Sequence, residues 1–297
     1  MLKHRKKENF IVAFLRLTRI EHSVMLAIAV IAAEIIALGK VPAYPLLMLS
    51  IVPPILISMG AFAINDYFDI AIDRANSKNR PLVTGSIKPH SALAITAMAF
   101  LIGVALAAFI NIAAFLIALI FALLAYAYSY RLKRIPLLGN IYIAFTMVIP
   151  FIYGSYVVTY AFPAAISLIC LVVFLSGLAR EMHGMVRDYE GDIKAGKLKN
   201  LVFFIGKARS SQLAFILYIE AIVISIFMLF FSAPFRFNAV YALPIALTDI
   251  MLAYVAVGFL LGKESKSFFR LSRNLSLGAM ALATLAYLLS GLFFLPL

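Results

Sequence analysis

The sequence predicts an all-α polytopic membrane protein with nine transmembrane helices. Three observations carry this prediction: 64% of the 297 residues are hydrophobic, only 13% are charged, and the mean hydropathy is +1.03. Soluble domains are about half apolar and about a quarter charged. The strands of a membrane β-barrel alternate apolar and polar residues over short segments, whereas this chain is uncharged throughout 91–130. The composition therefore indicates spanning helices and excludes a barrel.

The spans are placed on uncharged apolar stretches, since a helix of about 20 apolar residues crosses a bilayer. The uncharged segments 91–130 and 135–179 are each long enough for a helical hairpin. The basic segment 3–19 precedes the spans and is interpreted either as an amphipathic headgroup-binding helix or as an orientation signal. The predicted spans are 20–38, 44–68, 91–109, 112–130, 138–158, 164–186, 211–232, 239–261 and 275–295.

The net charge of +13 indicates an orientation in the membrane, not a nucleic-acid partner. With nine spans, all of the 26 lysines and arginines except Lys40 and Arg236 fall on one side. Because cytoplasmic loops are enriched in Lys and Arg, we expect a cytoplasmic N-terminus in a multi-pass protein of the cell membrane. We also expect one domain, 1–297, with active-site loops 74–90 and 188–209 on the cytoplasmic side.

Five of the six aspartates lie in two short segments, 65–73 and 188–192, each at the end of a predicted span. If 65–73 is one helix, its three carboxylates and one amide share an arc of about 100°. Such carboxylates repel one another unless a cation lies between them, and acids in membranes are rare and usually functional. Oxygen ligands suit Mg²⁺. The predicted metal ligands are Asn65, Asp69, Asp73, Asp188 and Asp192.

Basic residues follow both acidic clusters, among them Arg74, Lys78 and Arg80 after the first and Lys194 after the second. Acids alone would indicate a cation site, but acids with nearby bases indicate a metal-bound polyphosphate. A diphosphate on an isoprenoid tail fits both this chemistry and the membrane. The alternative interpretation of the basic loops is that they serve orientation alone.

Loss of diphosphate from an allylic carbon leaves a carbocation, which an apolar and aromatic wall can stabilise. Tyr126, Tyr128 and Tyr130 lie near one end of the fourth predicted span and are candidates for such a wall. A belt of aromatic side chains at the membrane interface is the alternative interpretation.

The two acidic segments carry a family resemblance. Asn65…Asp69…Asp73 resembles the first aspartate-rich motif of the UbiA family of intramembrane prenyltransferases, and Asp188…Asp192 resembles the second. The resemblance extends over nearly the whole chain. It is nearest to the archaeal ether-lipid branch, which alkylates geranylgeranylglyceryl phosphate.

Further segments support this resemblance. The stretch 128–134, Tyr-Ser-Tyr-Arg-Leu-Lys-Arg, resembles the family's Tyr-Ser-x-x-Leu-Lys signature, and Arg80-Pro81 and Arg180-Glu181 also match. One departure is Gly184-Met185, where relatives often have Lys-Asp.

The resemblance implies Mg²⁺-dependent transfer of a polyprenyl group, here expected to be geranylgeranyl, from its diphosphate to a hydrophobic lipid or aromatic acceptor. It also implies a central apolar cavity between the nine helices that opens to the cytoplasmic side. The catalytic residues implied are Asp66, Asp69, Asp73, Asp188, Asp192 and Tyr128. The substrate-binding residues implied are Asn65, Arg74, Lys78, Arg80, Tyr126, Lys133, Arg180 and Lys194.

Two other functions stay open at this point. A transporter or cation channel would use the acids as an ion path, and such proteins place their acids near the middle of the membrane. A scaffold that has lost its activity is the third alternative, and it stays open because Gly184-Met185 departs from the family pattern.

Overall fold

The computed structural model describes residues 8–75, 78–194 and 201–294, without the side chains of residues 192 and 194. Within these ranges the chain is almost entirely helical and contains no β-strand. The helices are α1 (Phe10–Thr18), α2 (Ile20–Leu38), α3 (Tyr44–Phe68), α4 (Ile70–Ala75), α5 (Pro81–Thr84), α6 (Pro89–Ala108), α7 (Ile112–Tyr130), α8 (Leu138–Val158), α9 (Ala164–Lys194), α10 (Leu201–Phe231), α11 (Ala239–Leu260) and α12 (Lys266–Phe293).

Among the described residues, nine helices are long and apolar enough to cross a membrane: α2, α3 and α6 to α12. This confirms the predicted class, a multi-pass all-α membrane protein. Four predicted spans, 20–38, 44–68, 112–130 and 138–158, agree with α2, α3, α7 and α8 at both ends.

Three helices are longer than predicted. The structure extends α9 to Lys194, and it begins α10 at Leu201 and α12 at Lys266. The predicted ends lie where charged residues begin, yet a helix can continue in polar surroundings because its hydrogen bonds are internal. The helix α12 also has an N-cap, since Ser265 Oγ accepts a hydrogen bond from the amide of Phe268 at 3.1 Å. Gly206 has φ 81° and ψ 163°, so α10 is kinked there.

The structure divides the chain into two compact units. The first unit comprises residues 1–27 and 43–132, and in it α3 packs against α6, α7 and α1. Close contact of α3 and α6 depends on two glycines: a Cβ at Gly60 would lie 2.6 Å from the Phe100 ring, and one at Gly103 would lie 3.1 Å from the Pro53 carbonyl oxygen. This packing holds the C-terminal end of α3, where the first acidic cluster begins.

The second unit comprises residues 28–42 and 133–297, so that α2 contributes its first residues to one unit and its remainder to the other. Each of α8 to α11 packs against the next helix, and α12 also contacts α9. A Cβ at Gly258 on α11 would lie 2.3 Å from the ring of Phe268 on α12, so these two helices depend on glycine for their close approach. The last turns of α9 carry the second acidic cluster.

Candidate active site

The first acidic cluster, 65–73, is not one unbroken helix. The helix α3 ends at Phe68, Asp69 has φ −96° and ψ 2°, and α4 begins at Ile70. The backbone hydrogen bonds nevertheless continue, because the amide of Asp69 donates to Asn65 O at 3.1 Å and that of Asp73 donates to Asp69 O at 2.8 Å. The amides of Asp69 and Asp73 therefore keep helical hydrogen bonds across the bend. The spacing of the acids in the sequence does not reveal this bend.

Two of the three acids in this cluster are buried and paired with cations. Asp66 and Asp73 are 2% and 3% exposed. Asp66 accepts a hydrogen bond from Arg19 Nη2 at 3.1 Å, and Asp73 lies 2.8 Å from Lys78 Nζ. Arg80 lies between the two acids, with Nη1 3.8 Å from Asp66 Oδ2 and Nε 3.9 Å from Asp73 Oδ2. The cluster is thus a network in which carboxylates and cations alternate.

The sequence pattern does not reveal Arg19 as the partner of Asp66. Arg19 follows α1 in the left-handed conformation, with φ 48°, and its guanidinium lies 4.4 Å from the centre of the Phe62 ring. Burial lowers the pKa of Arg19, while the neighbouring Asp66 carboxylate acts in the opposite direction. Forty-seven residues separate the two partners in sequence, and no spacing pattern links them.

The other predicted residues of this cluster are more open. Asn65 and Asp69 are partly exposed, and Arg74 is exposed. The side chain of Lys78 is 50% exposed. The structure thus brings Arg80 and Lys78 to the predicted acids and leaves Arg74 at the surface.

Three aromatic rings pack together around Phe68, the residue that precedes Asp69. The Phe68 ring lies 5.9 Å from that of Tyr126 and 5.7 Å from that of Tyr130, and the two tyrosine rings stack at 6.2 Å. These tyrosines are four residues apart on α7 and share one face of the helix. Tyr128 is partly buried and lies about 200° around the helix from each of them. An aromatic wall of Phe68, Tyr126 and Tyr130 is therefore present in the first unit.

The second acidic cluster is exposed by comparison. The Asp188 side chain is 53% exposed and accepts two hydrogen bonds from its neighbour Arg187, from Nε and Nη2, both at 2.8 Å. Lys207 on α10 pairs with Glu190 at 3.0 Å and with Glu264 at 2.8 Å. The side chains predicted at Asp192 and Lys194 lie outside the described residues.

The remaining predicted residues of the second unit are Lys133 and Arg180. Lys133 lies in a short 3₁₀ turn, Leu132–Arg134, and is partly buried. Arg180 Nε donates a hydrogen bond to Ser276 Oγ at 3.3 Å, and its Nη1 lies 3.8 Å from Glu181 Oε1. Arg180 therefore connects α9 to α12.

Within the described ranges, no group of three or more His, Cys, Asp or Glu side chains is arranged to hold a metal ion. The acids that are described supply oxygen ligands, which are the ligands that Mg²⁺ prefers. The donor chemistry of both clusters therefore fits Mg²⁺, provided that the basic partners of Asp73 and Asp188 give up their contacts.

Comparisons with known proteins agree with the sequence resemblance. Residues 25–278 match the UbiA prenyltransferase family. The digeranylgeranylglyceryl phosphate synthase of Archaeoglobus fulgidus is 31% identical over 284 residues, which cover 95% of this chain and 96% of that protein. The synthase of the same name from Thermococcus gammatolerans is 29% identical over 280 residues, covering 94% and 98%.

Solved structures support the fold. A structure of digeranylgeranylglyceryl phosphate synthase superposes with a TM-score of 0.77 at 28% identity, covering 96% of this chain and 99% of that chain. A UbiA homologue from Archaeoglobus fulgidus bound to GPP and Mg²⁺ gives a TM-score of 0.63 at 22% identity, covering 91% and 99%. At 22% identity, the similarity to the homologue bound to GPP and Mg²⁺ shows the fold alone.

Proposed function

Because the chain belongs to the UbiA prenyltransferase family, we propose that it transfers a geranylgeranyl group from its diphosphate to geranylgeranylglyceryl phosphate. The observation that carries this proposal is the alternation of Asp66, Arg80, Asp73 and Lys78 at the end of α3 and in the loop that follows. Carboxylates can hold a metal there while the bases bind phosphate oxygens. Relatives that match along almost their whole length are named for this product.

The metal would be Mg²⁺, and each cluster offers oxygen side chains as ligands. Asn65, Asp69 and Asp73 in the first unit and Asp188 and Asp192 in the second are the ligands we propose. Bound Mg²⁺ would neutralise charge on the diphosphate and make it a better leaving group. Solved UbiA homologues named as bound to GPP and Mg²⁺ or to DMAPP and Mg²⁺ support this choice.

The protein's own side chains would bind and shield the reacting group. Lys78 and Arg80 would exchange their carboxylate contacts for oxygens of the diphosphate, with Arg74 and Lys133 as further anion partners. The allylic C–O bond breaks, and the diphosphate leaves with the electron pair. The rings of Phe68, Tyr126 and Tyr130 present aromatic faces that stabilise a nearby cation. A new C–O bond then forms to the acceptor hydroxyl oxygen, whose proton passes to the released diphosphate or to water.

The protein would work as one domain, 1–297, whose active site opens to the cytoplasm. The distribution of lysines and arginines supports a cytoplasmic N-terminus. A transporter is not supported, because Asp66 and Asp188 lie near the C-terminal ends of their spans, Tyr44–Phe68 and Ala164–Gly191. An ion path would need acids near the middle of the membrane.

The test is a direct assay of the purified protein in detergent with Mg²⁺, labelled geranylgeranyl diphosphate and a panel of acceptors. We expect release of diphosphate and a product whose mass is that of geranylgeranylglyceryl phosphate with one geranylgeranyl group in place of one hydrogen. If only aromatic acceptors were prenylated, geranylgeranylglyceryl phosphate would be rejected as the acceptor. Ion flux in liposomes without any turnover of diphosphate would reject the enzyme.

A further inference from the structure

A small cavity of about 80 Å³ lies in the second unit between the ends of α9, α10, α11 and α12. We call it the arginine pocket, and its lining includes Arg180, His183, Arg187, Tyr218, Ser272 and Arg273. Its rim is exposed at Arg187 and Arg273, and its floor is buried at His183, Tyr218 and Ser272. The pocket thus has a charged opening, and its interior combines these polar groups with the apolar side chains of Val255, Phe259 and Phe269.

The charges of the pocket select an anion. Within the described residues, the lining carries three guanidinium groups against one carboxylate, Glu181, which lies 3.8 Å from Arg180. Arg187 also binds Asp188, and the local balance is still positive when that acid is counted. The planar donor pattern of arginine matches the oxygens of a phosphate group.

Buried polar groups in the floor lack partners. Neither ring nitrogen of His183, nor the Tyr218 hydroxyl, nor Ser272 Oγ has a hydrogen-bond partner among the described residues. The exposed fractions of these residues are 5%, 1% and 4%. His183 is also fixed in place, because its ring stacks on Phe259 with centroids 3.8 Å apart and planes 8° apart. A buried polar group without a hydrogen-bond partner is unfavourable, and a phosphate offers several acceptor oxygens.

The size of the pocket limits the ligand to a head group. Pockets that enclose a drug-sized molecule measure about 300–1,000 Å³, whereas this one measures about 80 Å³. A prenyl chain would also leave the polar floor unsatisfied. The ligand is therefore a compact polar anion, whose attached chain would extend out of the pocket.

The proposed reaction has two phosphorylated substrates, the donor diphosphate and the acceptor phosphate. The pocket suits only the acceptor phosphate. The donor diphosphate requires metal ligands, but the one carboxylate of the lining is partly buried and already paired with Arg180. The phosphate of the acceptor does not react and needs recognition without a metal. We propose that the arginine pocket binds the phosphomonoester group of the prenyl acceptor, an inference that rests on the proposed function.

The test compares two variants on one helix. Arg273→Gln removes a guanidinium from the pocket, whereas Arg270→Gln removes the same charge three residues earlier at an exposed position outside its lining. We expect Arg273→Gln to raise the KM for geranylgeranylglyceryl phosphate about ten-fold or more. The KM for the donor diphosphate and kcat should stay within about two-fold of the wild type, as should all three constants in Arg270→Gln.

A binding experiment separates this proposal from the proposed function, because it needs no turnover. The thermal unfolding midpoint of the full chain in detergent is measured with geranylgeranylglyceryl phosphate, with its phosphate-free alcohol, and with inorganic phosphate, all without donor. A ligand stabilises the folded protein by mass action. We expect the phosphorylated lipid to raise the midpoint most in the wild type and in Arg270→Gln, and to lose its advantage over the alcohol in Arg273→Gln.

Four results would overturn the proposal. An increase in the donor KM would assign the pocket to the diphosphate. Equal effects of the two substitutions would indicate a general charge effect. Equal stabilisation by the phosphorylated lipid and by its alcohol would show that the phosphate group does not contribute to binding. Stabilisation by inorganic phosphate alone would indicate a site for a free ion. Absence of any prenylated product would reject the proposed function while this binding comparison still stands.

Discussion

Two acids of the first cluster, Asp66 and Asp73, are buried and paired with cations, whereas Asp188 of the second cluster is exposed and held by one neighbour. Asp66 is 2% exposed and lies between Arg19 and Arg80. The Asp188 side chain is 53% exposed and pairs with Arg187 beside it. The same residue type is therefore part of a buried ion-pair network in one place and open to solvent in the other.

The difference follows from what surrounds each charge. Removing one partner of a buried pair leaves an uncompensated charge and destabilises by about 3–5 kcal/mol. An exposed pair contributes about 0–1 kcal/mol. Within the first cluster itself, Asp66 is buried and Asp69 is partly exposed, so the contrast can be tested both within one cluster and between the two.

The largest expected effect is on turnover. Asp69→Ala and Asp188→Ala should each lower kcat about 100-fold or more, because each removes a proposed metal ligand, an electrostatic contribution of the size found for single transition-state donors. Glu264→Gln, an exposed acid outside the proposed site, should keep its activity. The measurement is a steady-state assay on variants that elute as monodisperse species. Turnover near the wild-type rate in either alanine variant would contradict the metal assignment.

The second effect is on stability and separates the two clusters. Asp66→Asn should lower the free energy of unfolding by about 3 kcal/mol, since it leaves the buried guanidinium of Arg19 without its counter-charge. Asp188→Asn should lower it by less than about 1 kcal/mol. Chemical unfolding in detergent, followed by circular dichroism, measures both. Equal losses would show that burial does not distinguish these acids.

A smaller effect is expected at Lys78, the exposed base of the first cluster. Lys78→Gln should raise the KM for geranylgeranyl diphosphate about ten-fold and leave kcat within about two-fold, because it removes one charge-assisted contact to the diphosphate. Lys40→Gln, in the loop between α2 and α3, is the matched control. A fall in kcat at unchanged KM would instead place Lys78 in the chemical step.

The smallest effect concerns the aromatic neighbours of the acids. Phe68→Leu removes the ring that contacts Tyr126 and Tyr130, and should lower kcat about two- to five-fold, the range that a single cation–π contact allows. Phe68→Tyr keeps the ring and serves as the control.

In the second cluster, Tyr189 packs on Phe203 with centroids 5.0 Å apart, and Tyr189→Phe should have no effect on kcat. Loss of activity in Tyr189→Phe would remove the difference between the clusters.

Much of the fold could be predicted from the sequence. The spans at 112–130 and 138–158 agree with α7 and α8 because each is an uncharged, largely apolar stretch. At the start of α7 the side chain of Asn111 also accepts a hydrogen bond from the amide of Ala114. The starts of α10 and α12 were misplaced, because apolar composition reports where lipid begins and not where helical hydrogen bonding begins. The helices α10 and α12 begin at Leu201 and Lys266, before the uncharged apolar stretches on which their spans were placed.

The candidate site could be predicted only in part. The acids and the nearby bases Lys78 and Arg80 follow one another in sequence, so their spacing reveals them. The pairing of Arg19 with Asp66 and the meeting of His183 with Ser272 in the arginine pocket depend on packing between distant helices. No periodicity in a single sequence encodes those contacts. The central apolar cavity that would hold the prenyl tail stays a prediction.

The pairs Lys78–Asp73 and Arg187–Asp188 have a consequence for the sequence of binding events. A bare divalent cation meets carboxylates that are already neutralised, so its affinity for the substrate-free protein should be low. The donor diphosphate would draw Lys78 to itself and release Asp73 for Mg²⁺, and an acceptor phosphate in the arginine pocket would draw Arg187 and release Asp188. Metal and diphosphate would therefore assemble together, with each raising the affinity for the other, and the resting enzyme would not accumulate stray Ca²⁺ or Mg²⁺.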